Sequence, residues 1–551
     1  MCISFTKIFF ILIFILSVFL RFYDLRNIPT GFYTDEAAFG YNAYSLLKTG
    51  KDEFGVLVPF VFHSFGDYKS PLFFYYLIPF VGLFDLTILS VRSGAVILGI
   101  GIIVGIFLLT YLLSRNKRLS LTAMLISSIT PLSLQFNRMV HENNLSVFLI
   151  LYGLIFFLKA EKNKWYFLIS GILFGLSIYA YHDAKIITPL LLGGLFLFYK
   201  KKYLSKIGHI AIFLAPIILL SCILILNLIR SSGLHRPFSV LVFNNQGTFA
   251  DIIAWRQDIS YFQNKDVALV GKLFINRPIN YALSFLSNYL SHYSPSFLFF
   301  FGDPVKIYST VGTGILMVSF LPVLIFGFVL LFTRYKNNRN IILWILLIGS
   351  LSGALTAYVP SASRTFILIF PFSLLSAMGA VYLSGFFKKK SYFISLILIF
   401  VFIVMFDFTR FLNLYFFVTP VRYAKDWNYG REELLKEVNQ YAGNFKHIWF
   451  SRQVGEYIYL LFFNKIDPRQ FQNDYTWDTV DKYGFQWVKS FGKYTFETIP
   501  PKPWINTQTL YIGLPENFDG NAIPLKTIKY PSGNPAYYIL DYHSFTPPNE
   551  Y

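Results

Sequence analysis

The adjacent carboxylates Asp35 and Glu36 are the first residues of this sequence whose types could do chemistry. They stand in "GFYTDEAAFGYNAYSLLKTG", residues 31–50, where apolar side chains recur at helical spacing before Gly50. The spacing predicts a helix that begins at the acidic pair, where the helix dipole favours ionised carboxylates. On this local evidence a plain helix cap is the simpler explanation of the pair, and a general base that activates a hydroxyl is the alternative. Position alone leaves both interpretations open.

Four cationic side chains could neutralise a phosphate. A lysine or arginine at the membrane surface either snorkels to lipid headgroups or holds the phosphate of a lipid-linked substrate. The arginine of "NRMVHENN" also stands four residues before Glu142, at the spacing of an ordinary helical ion pair. The four are Lys69 in "GDYKSP", Arg138 in "NRMVHENN", Lys185 in "YHDAK" and Arg364 in "SASR".

Further polar residues stand beside these cations. His182 and Asp183 precede Lys185, and an Asp183–Lys185 pair could satisfy itself. Asp303 lies in "SPSFLFFFGDP", 294–304, which we interpret as a hairpin-like aromatic loop that covers the membrane surface as a lid. His141 and Glu142 could join Asp35 around a metal, but theirs is not a recognised metal-ligand spacing. The sequence therefore requires no cofactor and leaves a divalent cation open.

The composition indicates an integral membrane protein. The 551 residues are 55% hydrophobic and 14% charged, whereas about a quarter of the residues of a soluble protein are charged. Cys2 and Cys222 offer neither a disulfide framework nor a metal site. The first apolar segment, "KIFFILIFILSVFL", has no small-residue cleavage site and is typical of an uncleaved signal-anchor.

Eleven apolar stretches are long enough to span a bilayer, which takes roughly 17–25 residues. A further segment, "LFFYYLIPFVGLF" at 72–84, is interrupted by Pro79 and ends at Asp85. We interpret it as an interfacial helix, because a span there would reverse the side of every later basic cluster. The predicted spans are 5–22, 91–113, 119–136, 144–160, 165–181, 185–199, 207–229, 309–333, 341–358, 364–386 and 391–409.

The net charge of +19 is distributed as in a multi-pass protein of the cytoplasmic membrane. Five clusters, at 115–118, 159–164, 200–206, 334–339 and 388–390, hold sixteen Lys/Arg and one acid, and eleven spans put all five on the cytoplasmic side. This pattern excludes a nucleic-acid footprint. Nearly all polar groups named above then lie on the extracytoplasmic face, where they suit a reaction between a lipid phosphate donor and a hydroxyl acceptor.

Residues 421–551 form a more polar region with fourteen Lys/Arg and fourteen Asp/Glu. Strand-like runs "HIWFS", "TLYIGL" and "AYYILDY" and the amphipathic run "EELLKEVNQYA" predict a small extracytoplasmic α/β domain. The predicted fold is thus an all-α polytopic membrane protein with this domain at its end. We divide it into a catalytic membrane domain, 1–420, with an interfacial loop at 23–90 and an outer loop at 230–308, and the domain 421–551.

Together these motifs resemble the GT-C glycosyltransferases, in particular the protein-mannosyltransferase and lipid A aminoarabinose-transferase group. The resemblance rests on the acidic pair in the first outer loop, on Lys-x-Pro opening an interfacial helix, and on the arginine-then-acid segment "FNRMVHENNLSVFL". "YSPSFLFFFGDP" and "SASRTFILIFPFSLLSAMG" also resemble segments of bacterial members. The likeness covers roughly residues 5–385, with a weaker echo in "YAKDWNYGREELLKEV".

The resemblance implies an inverting transfer of a sugar from a polyprenyl-phosphate donor to a glycolipid, polysaccharide or protein acceptor. Asp35 would be the catalytic base, accompanied by Glu36, and Glu142 would orient the acceptor or a metal. The donor phosphate would be held by Lys69 and Arg364, with Lys185 where related chains often have arginine. The family commonly has two prolines after the lysine, whereas Ser70 stands first here, and its third-loop acid is usually aspartate.

Two other classes of function remain open. A transporter or flippase of lipid-linked sugars would carry ionisable groups near mid-bilayer, and the predicted spans have almost none. A polysaccharide polymerase or ligase typically uses arginines of a large outer loop, and the loop 230–308 contains Arg230, Arg236, Arg256 and Arg277. A membrane scaffold without catalysis gives no reason for the clustered acids and cations.

Overall fold

The computed structural model of the chain is mainly helical, with a sheet near its end. The helices before residue 231 are α1 (Phe5–Phe22), α2 (Thr34–Thr49), α3 (Leu72–Phe84), α4 (Ile88–Ser114), α5 (Lys117–Ile129), α6 (Pro131–Arg138), α7 (Asn143–Lys159), α8 (Trp165–Ala180), α9 (Ala184–Tyr203) and α10 (Ile207–Arg230). The described residues are 5–64, 67–161, 163–203, 207–230, 246–261, 271, 273–334, 338–383, 390–454, 457–480, 486–501, 506–518, 520 and 522–545.

Later helices complete the helical part of the fold. Those before residue 420 are α11 (Gln246–Ser260), α12 (Arg277–Ser291), α13 (Leu321–Arg334), α14 (Arg339–Ile348), α15 (Leu351–Ala354), α16 (Ile369–Tyr382), α17 (Lys390–Asn413) and α18 (Thr419–Arg422). The helices of the C-terminal region are α19 (Arg431–Tyr441), α20 (Tyr457–Phe463) and α21 (Pro468–Asp474).

Each of the eleven predicted spans contains apolar helix, but the span predicted at 309–333 is α-helical only from Leu321 onwards, and residues 384–386 of the span predicted at 364–386 lie outside the described residues. Among the described residues, five helical stretches are long and apolar enough to cross a membrane, and α5 with α6, bent by 61°, makes a sixth. Several others, such as α7 and α8, are apolar but shorter. The predicted class, a polytopic α-helical membrane protein, is therefore confirmed, while the count of eleven stays a prediction. The segment at 72–84 is helical over the predicted residues.

The described residues group into two compact units. The first contains residues 1–17, 100–135 and 143–411, and the second contains 18–99, 136–142 and 412–551. The units divide the chain differently from the predicted domains 1–420 and 421–551, which stay a proposal.

Glycines allow the closest helix crossing of the first unit. A Cβ atom on Gly327 of α13 would lie 1.8 Å from the Leu375 carbonyl oxygen, and one on Gly379 would lie 1.9 Å from that of Val323. Helices α13 and α16 thus approach backbone to backbone, as small residues permit in membrane proteins.

The predicted hairpin-like loop at 294–304 is helical instead. Ser296–Phe300 form a single π-helical turn, and Phe297 and Phe299 are buried. Backbone N–H groups of Ile315 and Leu316 donate to carbonyls within this turn. The hairpin prediction was wrong because the aromatic side chains pack inward around a helical turn rather than alternating along paired strands. Of the arginines in the outer loop, Arg236 lies outside the described residues.

Among the described residues, a mixed seven-stranded sheet forms in the C-terminal region of the second unit, and β1 (Phe62–Ser64) and β2 (Asp67–Lys69) pair in the first outer loop. The strands of the sheet are β3 (His447–Ser451), β4 (Tyr475–Trp477), β5 (Val488–Phe491), β6 (Tyr494–Glu497), β7 (Thr509–Gly513), β8 (Lys526–Lys529) and β9 (Pro535–Leu540). Their order is β4-β5-β6-β3-β7-β9-β8, and β3 is parallel to both of its neighbours. The predicted strands 447–451, 509–514 and 536–542 correspond to β3, β7 and β9.

This C-terminal region packs on the first outer loop within the second unit. The Tyr459 hydroxyl donates to the Phe32 carbonyl at 2.7 Å, and the Tyr41 hydroxyl of α2 donates to the Ile466 carbonyl at 3.0 Å. Asn428 donates to the Thr34 hydroxyl at 2.9 Å, next to Asp35. Helix α2 therefore has its position fixed partly by residues four hundred positions later.

Candidate functional site

Helix α2 begins where the sequence predicts. It runs from Thr34 to Thr49 and ends at Gly50, whose left-handed φ of 70° and N–H bond to the Leu46 carbonyl close the helix. Asp35 and Glu36 occupy its first turn, where the unpaired N–H groups and the dipole favour carboxylates. Adjacent helical residues do not face each other, so the two acids have different surroundings.

Asp35 forms an ion pair with Lys69. The Lys69 Nζ atom donates to Asp35 Oδ1 at 2.5 Å. The lysine side chain is 5% exposed, whereas that of Asp35 is 39% exposed. The structure thus brings the predicted base and the first predicted phosphate ligand together, with the carboxylate as the accessible partner.

A short β-hairpin positions Lys69 beside Asp35. Strands β1 (Phe62–Ser64) and β2 (Asp67–Lys69) pair antiparallel, with Phe62 opposite Lys69. Phe62 is buried and stacks on Phe74 of α3 at 3.9 Å between ring centroids, and Phe74 in turn contacts Phe39 of α2 at 4.5 Å. The Lys69 ammonium lies 5.5 Å from the Phe39 ring, within cation–π distance.

Glu36 is completely buried in an ion pair with Arg92 of α4. Arg92 Nε and Nη2 donate to the two carboxylate oxygens at 3.1 and 2.8 Å, and both side chains are 0% exposed. The backbone N–H groups of Tyr33 and Val140 also donate to Glu36, each at 3.1 Å. A bidentate arginine fork is the strongest geometry for such a pair. Glu36 thus joins α2, α4 and the segment before α7.

The same arginine fastens the loop that leads into α2. Its Nη1 donates to the Pro29 carbonyl at 2.9 Å and its Nη2 to the Gly31 carbonyl at 2.7 Å. Gly31 has a φ of +68°, and a Cβ there would lie 2.3 Å from the Trp427 carbonyl oxygen. The loop that leads to the acidic pair is therefore held by hydrogen bonds from the buried Arg92, and it passes close to Trp427 at Gly31.

Arg138 is also completely buried. Its Nη1 donates to the Leu20 and Arg21 carbonyls at 2.7 and 3.0 Å, and its Nη2 donates to the Ile28 carbonyl at 2.7 Å. The guanidinium carbon lies 5.2 Å from the Phe416 ring. Because both terminal nitrogens bind backbone, this geometry favours a structural role over the predicted contact with a donor phosphate.

Glu142 lies at the N-terminus of α7. It is half-buried and directly precedes the helix, where the dipole favours its charge. His141 beside it is buried. Among the described residues, no group of three or more acids, histidines or cysteines could hold a metal ion.

The other five predicted residues belong to the first unit. Asp303 Oδ2 accepts from the Ala362 N–H at 2.6 Å and Oδ1 from that of Val305 at 2.7 Å. Burial raises the pKa of Asp303 to about 6, against the effect of these bonds and of Arg364. Arg364 Nη1 donates to the Thr356 hydroxyl at 2.7 Å.

Asp183 also interacts with Arg364. Burial raises the pKa of Asp183 well above its ordinary value, and the Arg364 charge opposes this rise. Lys185 Nζ lies 3.1 Å from His182 Nδ1. The Arg364 charge thus acts on Asp183, while Lys185 lies beside His182. Arg364 therefore acts electrostatically on both Asp183 and Asp303.

Sequence analysis did not identify two of the buried polar side chains. One is Arg92, inside the apolar run of α4. The other is His292, whose Nε2 accepts from the Ser361 N–H at 2.9 Å and whose Nδ1 lies 2.7 Å from the Asn288 carbonyl. Burial lowers the pKa of His292 to about 4, so it is neutral at physiological pH. A lone arginine in a span predicts a buried acidic partner, and this signal identifies Arg92. Nothing in the sequence around His292 distinguishes it.

A cavity of about 570 Å³ lies in the second unit beside the loop before α2. Its lining combines amide, hydroxyl and charged side chains, among them Asn27, Thr30 and Asn428, with the rings of Phe32 and Phe463. Arg26 and Glu432 form an ion pair at 2.8 Å within this lining. Its size is that of an ordinary small-molecule site.

Part of the chain matches a known family. Residues 68–226 match the family model described as dolichyl-phosphate-mannose-protein mannosyltransferase. The matched segment contains Lys69, Arg92, Arg138, Glu142 and the motif at 181–185. Over these residues, the match supports the resemblance to membrane glycosyltransferases of the protein-mannosyltransferase type. No curated protein matches the chain in sequence.

Solved structures of two membrane proteins are also similar. The oligosaccharyltransferase of Archaeoglobus fulgidus, solved with a tethered acceptor peptide, has a TM-score of 0.46 at 12% identity, covering 84% of this chain and 63% of that one. ArnT from Cupriavidus metallidurans has a TM-score of 0.42 at 11% identity as the apo form, covering 98% of each chain. The same enzyme bound to undecaprenyl phosphate has a TM-score of 0.45 at 12% identity, covering 99% of this chain and 100% of that one. The chain thus spans less than two thirds of the archaeal enzyme.

Proposed function

We propose that this chain, which matches a mannosyltransferase family model over residues 68–226, is an inverting glycosyltransferase that uses a polyprenyl-phosphate sugar. The acceptor is a hydroxyl group, and the reaction takes place at the outer face of the cytoplasmic membrane. The observation that carries the proposal is the Asp35–Lys69 pair. In this pair an accessible carboxylate in the first turn of α2 lies beside a buried ammonium that shortly precedes the apolar helix α3.

The pair supplies the two groups that the transfer needs. The acceptor oxygen attacks the anomeric carbon, the bond from that carbon to the phosphate oxygen breaks, and the phosphate keeps the electron pair. Asp35 accepts the proton of the acceptor hydroxyl, as a general base does. Lys69 stabilises the negative charge that develops on the leaving phosphate, and such electrostatic stabilisation is usually the largest single contribution to catalysis.

The ion pair also suggests an order of events. Without donor, Lys69 binds Asp35 and the two charges compensate each other. A donor phosphate competes for the ammonium, and its arrival leaves the carboxylate oxygen available to the acceptor hydroxyl. The sequence predictions for the first unit are kept as a separate proposal: Arg364, whose charge acts on Asp183 and Asp303, is a phosphate ligand, and the two acids are substrate contacts.

Glu36 and Arg138 take structural roles in this scheme. Both are fully buried. Glu36 is paired with Arg92 and holds the first turn of α2 in place, whereas both terminal nitrogens of Arg138 bind backbone carbonyls before α2.

The proposal is tested with purified protein in nanodiscs and a panel of polyprenyl-phosphate sugars. Release of polyprenyl phosphate is measured for the wild type and for Asp35→Asn, with crude membrane acceptors added. We expect the variant to lose about 10²- to 10⁴-fold in turnover, the ordinary contribution of a general base. The donor that is consumed identifies the sugar that the enzyme transfers.

Asp85→Asn is the matched control. Asp85 is an exposed aspartate that pairs with a lysine, Lys465, at the end of α3. Its removal changes the same charge without touching the site and leaves turnover unchanged. Equal turnover of the wild type and Asp35→Asn would refute the role of Asp35, and no release from any donor would refute the activity.

A further inference from the structure

The cavity beside the loop before α2 is accessible to a ligand from solvent. Its volume of about 570 Å³ lies within the range of about 300–1,000 Å³ that small-molecule pockets occupy. Arg26, Glu433 and Lys436 belong to its lining and are exposed. All residues of the lining lie in the second unit, so the cavity is a feature of that unit alone.

Two segments of the second unit form the walls of this cavity. Residues from 26–32 line one side and residues from 428–436 line the other. Asn428 and Gly430 have φ angles of +53° and +85°, a left-handed conformation that asparagine and glycine adopt more readily than other residues. The chain therefore turns sharply before α19, and side chains of the first turns of α19 reach the cavity.

Hydrogen bonds with buried partners fix both walls. Arg92 Nη1 donates to the Pro29 carbonyl at 2.9 Å, and the Tyr459 hydroxyl donates to the Phe32 carbonyl at 2.7 Å. Asn428 Nδ2 donates to the same Tyr459 hydroxyl at 3.0 Å, so Tyr459 joins one wall to the other. A cavity whose walls are fixed in this way costs a ligand little ordering on binding.

The charges in the lining nearly balance. Its cations are Arg26, Arg431 and Lys436, and its acids are Glu432 and Glu433. Arg26 and Glu432 form an ion pair at 2.8 Å. Phosphate is bound by a surplus of cationic donors, and this lining has a surplus of one. It therefore suits a neutral polar ligand better than a phosphate.

The uncharged part of the lining combines hydrogen-bonding groups with aromatic rings. The amides of Asn27 and Asn428 and the hydroxyl of Thr30 can each donate and accept. The rings of Tyr429 and Phe463 are partly exposed and offer apolar faces. A sugar ring carries hydroxyl groups at its edge and C–H groups on its faces, so it matches both kinds of lining group.

The cavity is connected to the turn that carries Asp35. Asn428, in the second wall, also donates to the Thr34 hydroxyl at 2.9 Å, and Thr34 directly precedes Asp35 in the first turn of α2. Asp35 itself lies outside the described lining. A ligand in the cavity is therefore held next to the turn that carries the proposed base, without occupying the place of the reacting group.

We propose that this cavity is a carbohydrate-binding site, and that it holds one sugar unit of a neutral glycan acceptor while a hydroxyl of another unit reacts at Asp35. The assignment to the acceptor rests on the proposed function, whereas the binding of carbohydrate does not. The acceptor class that this site selects is a glycan rather than a peptide.

Binding is tested with the full chain in nanodiscs, without donor. An array of neutral, amino-sugar and acidic oligosaccharides, together with serine- and threonine-containing peptides, is screened, and the affinity of the best probe is measured by calorimetry. We expect a neutral oligosaccharide to bind best. Asn27→Trp, which places an indole at the exposed edge of the lining, should weaken its binding tenfold or more.

Asn439→Trp is the matched control. Asn439 is an exposed asparagine of α19 outside the described lining. Asn27 and Asn439 each donate one exposed hydrogen bond to a neighbouring side chain, so the two variants lose similar contacts. We expect Asn439→Trp to bind the oligosaccharide as the wild type does, and the melting temperatures of both variants show that they are folded.

A smaller change removes the dependence on a bulky substitution. Glu433→Gln keeps the shape of the lining and should weaken binding several-fold. Glu437→Gln, one turn later on α19 and paired with Lys526 at 3.2 Å outside the described lining, should leave binding unchanged. The inference is overturned if no neutral oligosaccharide binds, if both tryptophan variants or both glutamine variants bind equally, or if a peptide binds instead and Asn27→Trp abolishes that binding.

Turnover separates this inference from the proposed function. If sugar transfer occurs, Asn27→Trp should raise the KM for the glycan acceptor tenfold or more, with a smaller effect on kcat. If the oligosaccharide binds with the expected pattern of variants but no donor is consumed, the carbohydrate site stands and the proposed function fails. If transfer occurs but the two tryptophan variants bind and react alike, the carbohydrate site fails and the proposed function stands.

Discussion

At the scale of single residues, the two adjacent acids differ because of where the helix directs them. Asp35 is accessible and pairs with a lysine, while Glu36, one residue later, is completely buried against Arg92. Both are carboxylates in the first turn of one helix, and the resemblance to a known family made Asp35 the base with Glu36 beside it, without showing that Glu36 is buried. Only the partner, an arginine fifty-six residues later in an apolar run, decides which acid is structural.

The buried pair predicts a large stability loss when one partner is removed. Arg92→Met leaves the Glu36 carboxylate buried without its cation, and we expect a loss of about 3–5 kcal/mol. This loss of stability is measured as a lower apparent melting temperature in detergent at a fixed scan rate.

The double variant Glu36→Gln with Arg92→Met removes both charges. It should be more stable than Arg92→Met alone, since no unpaired charge remains. A double variant as unstable as the two single losses combined would contradict a direct pair.

At the scale of elements, α2 is positioned by close contacts on its sides. A Cβ on Gly40 would lie 2.6 Å from the Phe462 ring of α20 and 2.7 Å from Val91 of α4. Both neighbours belong to the second unit. The helix carrying Asp35 is therefore packed between an apolar helix and the C-terminal region at a point where only glycine fits.

Gly40→Ala tests this packing. Overpacking at this position should cost about 1–3 kcal/mol, measured as a lower melting temperature. Gly82→Ala in α3 is the control, because a Cβ there would meet only Leu47 at 3.6 Å. That variant should be neutral or slightly stabilised by its better helix propensity; equal destabilisation of both variants would show that α2 is not tightly packed at Gly40.

Element prediction succeeded where the pattern is local. The boundaries of α2 and α3 follow from Gly50, Pro71 and Asp85, and the helix at 431–441 follows from its amphipathic period. The β1–β2 hairpin and strands β4, β5, β6 and β8 are three to four residues long. Such short strands carry too few alternating positions to be recognised, and their pairing depends on partners distant in sequence.

At the scale of the whole molecule, the second unit is assembled from three separate parts of the chain. Residues of the C-terminal region hold α2 through Tyr459, Asn428 and Ile466. Sequence analysis predicted this region as a separate small extracytoplasmic α/β domain and gave no sign of these contacts. Because these contacts end beside Asp35, the C-terminal region supports the first turn of α2.

The measurement that tests the central claim most directly separates the two members of the Asp35–Lys69 pair. Binding of polyprenyl phosphate and turnover of the active donor are measured for Asp35→Asn, Lys69→Met and the exposed control Lys465→Met. We expect Asp35→Asn to bind polyprenyl phosphate at least as tightly as the wild type while losing turnover, because the competing carboxylate charge is gone. Lys69→Met should lose both by tenfold or more, and Lys465→Met neither. Wild-type binding and turnover in Lys69→Met would contradict the account.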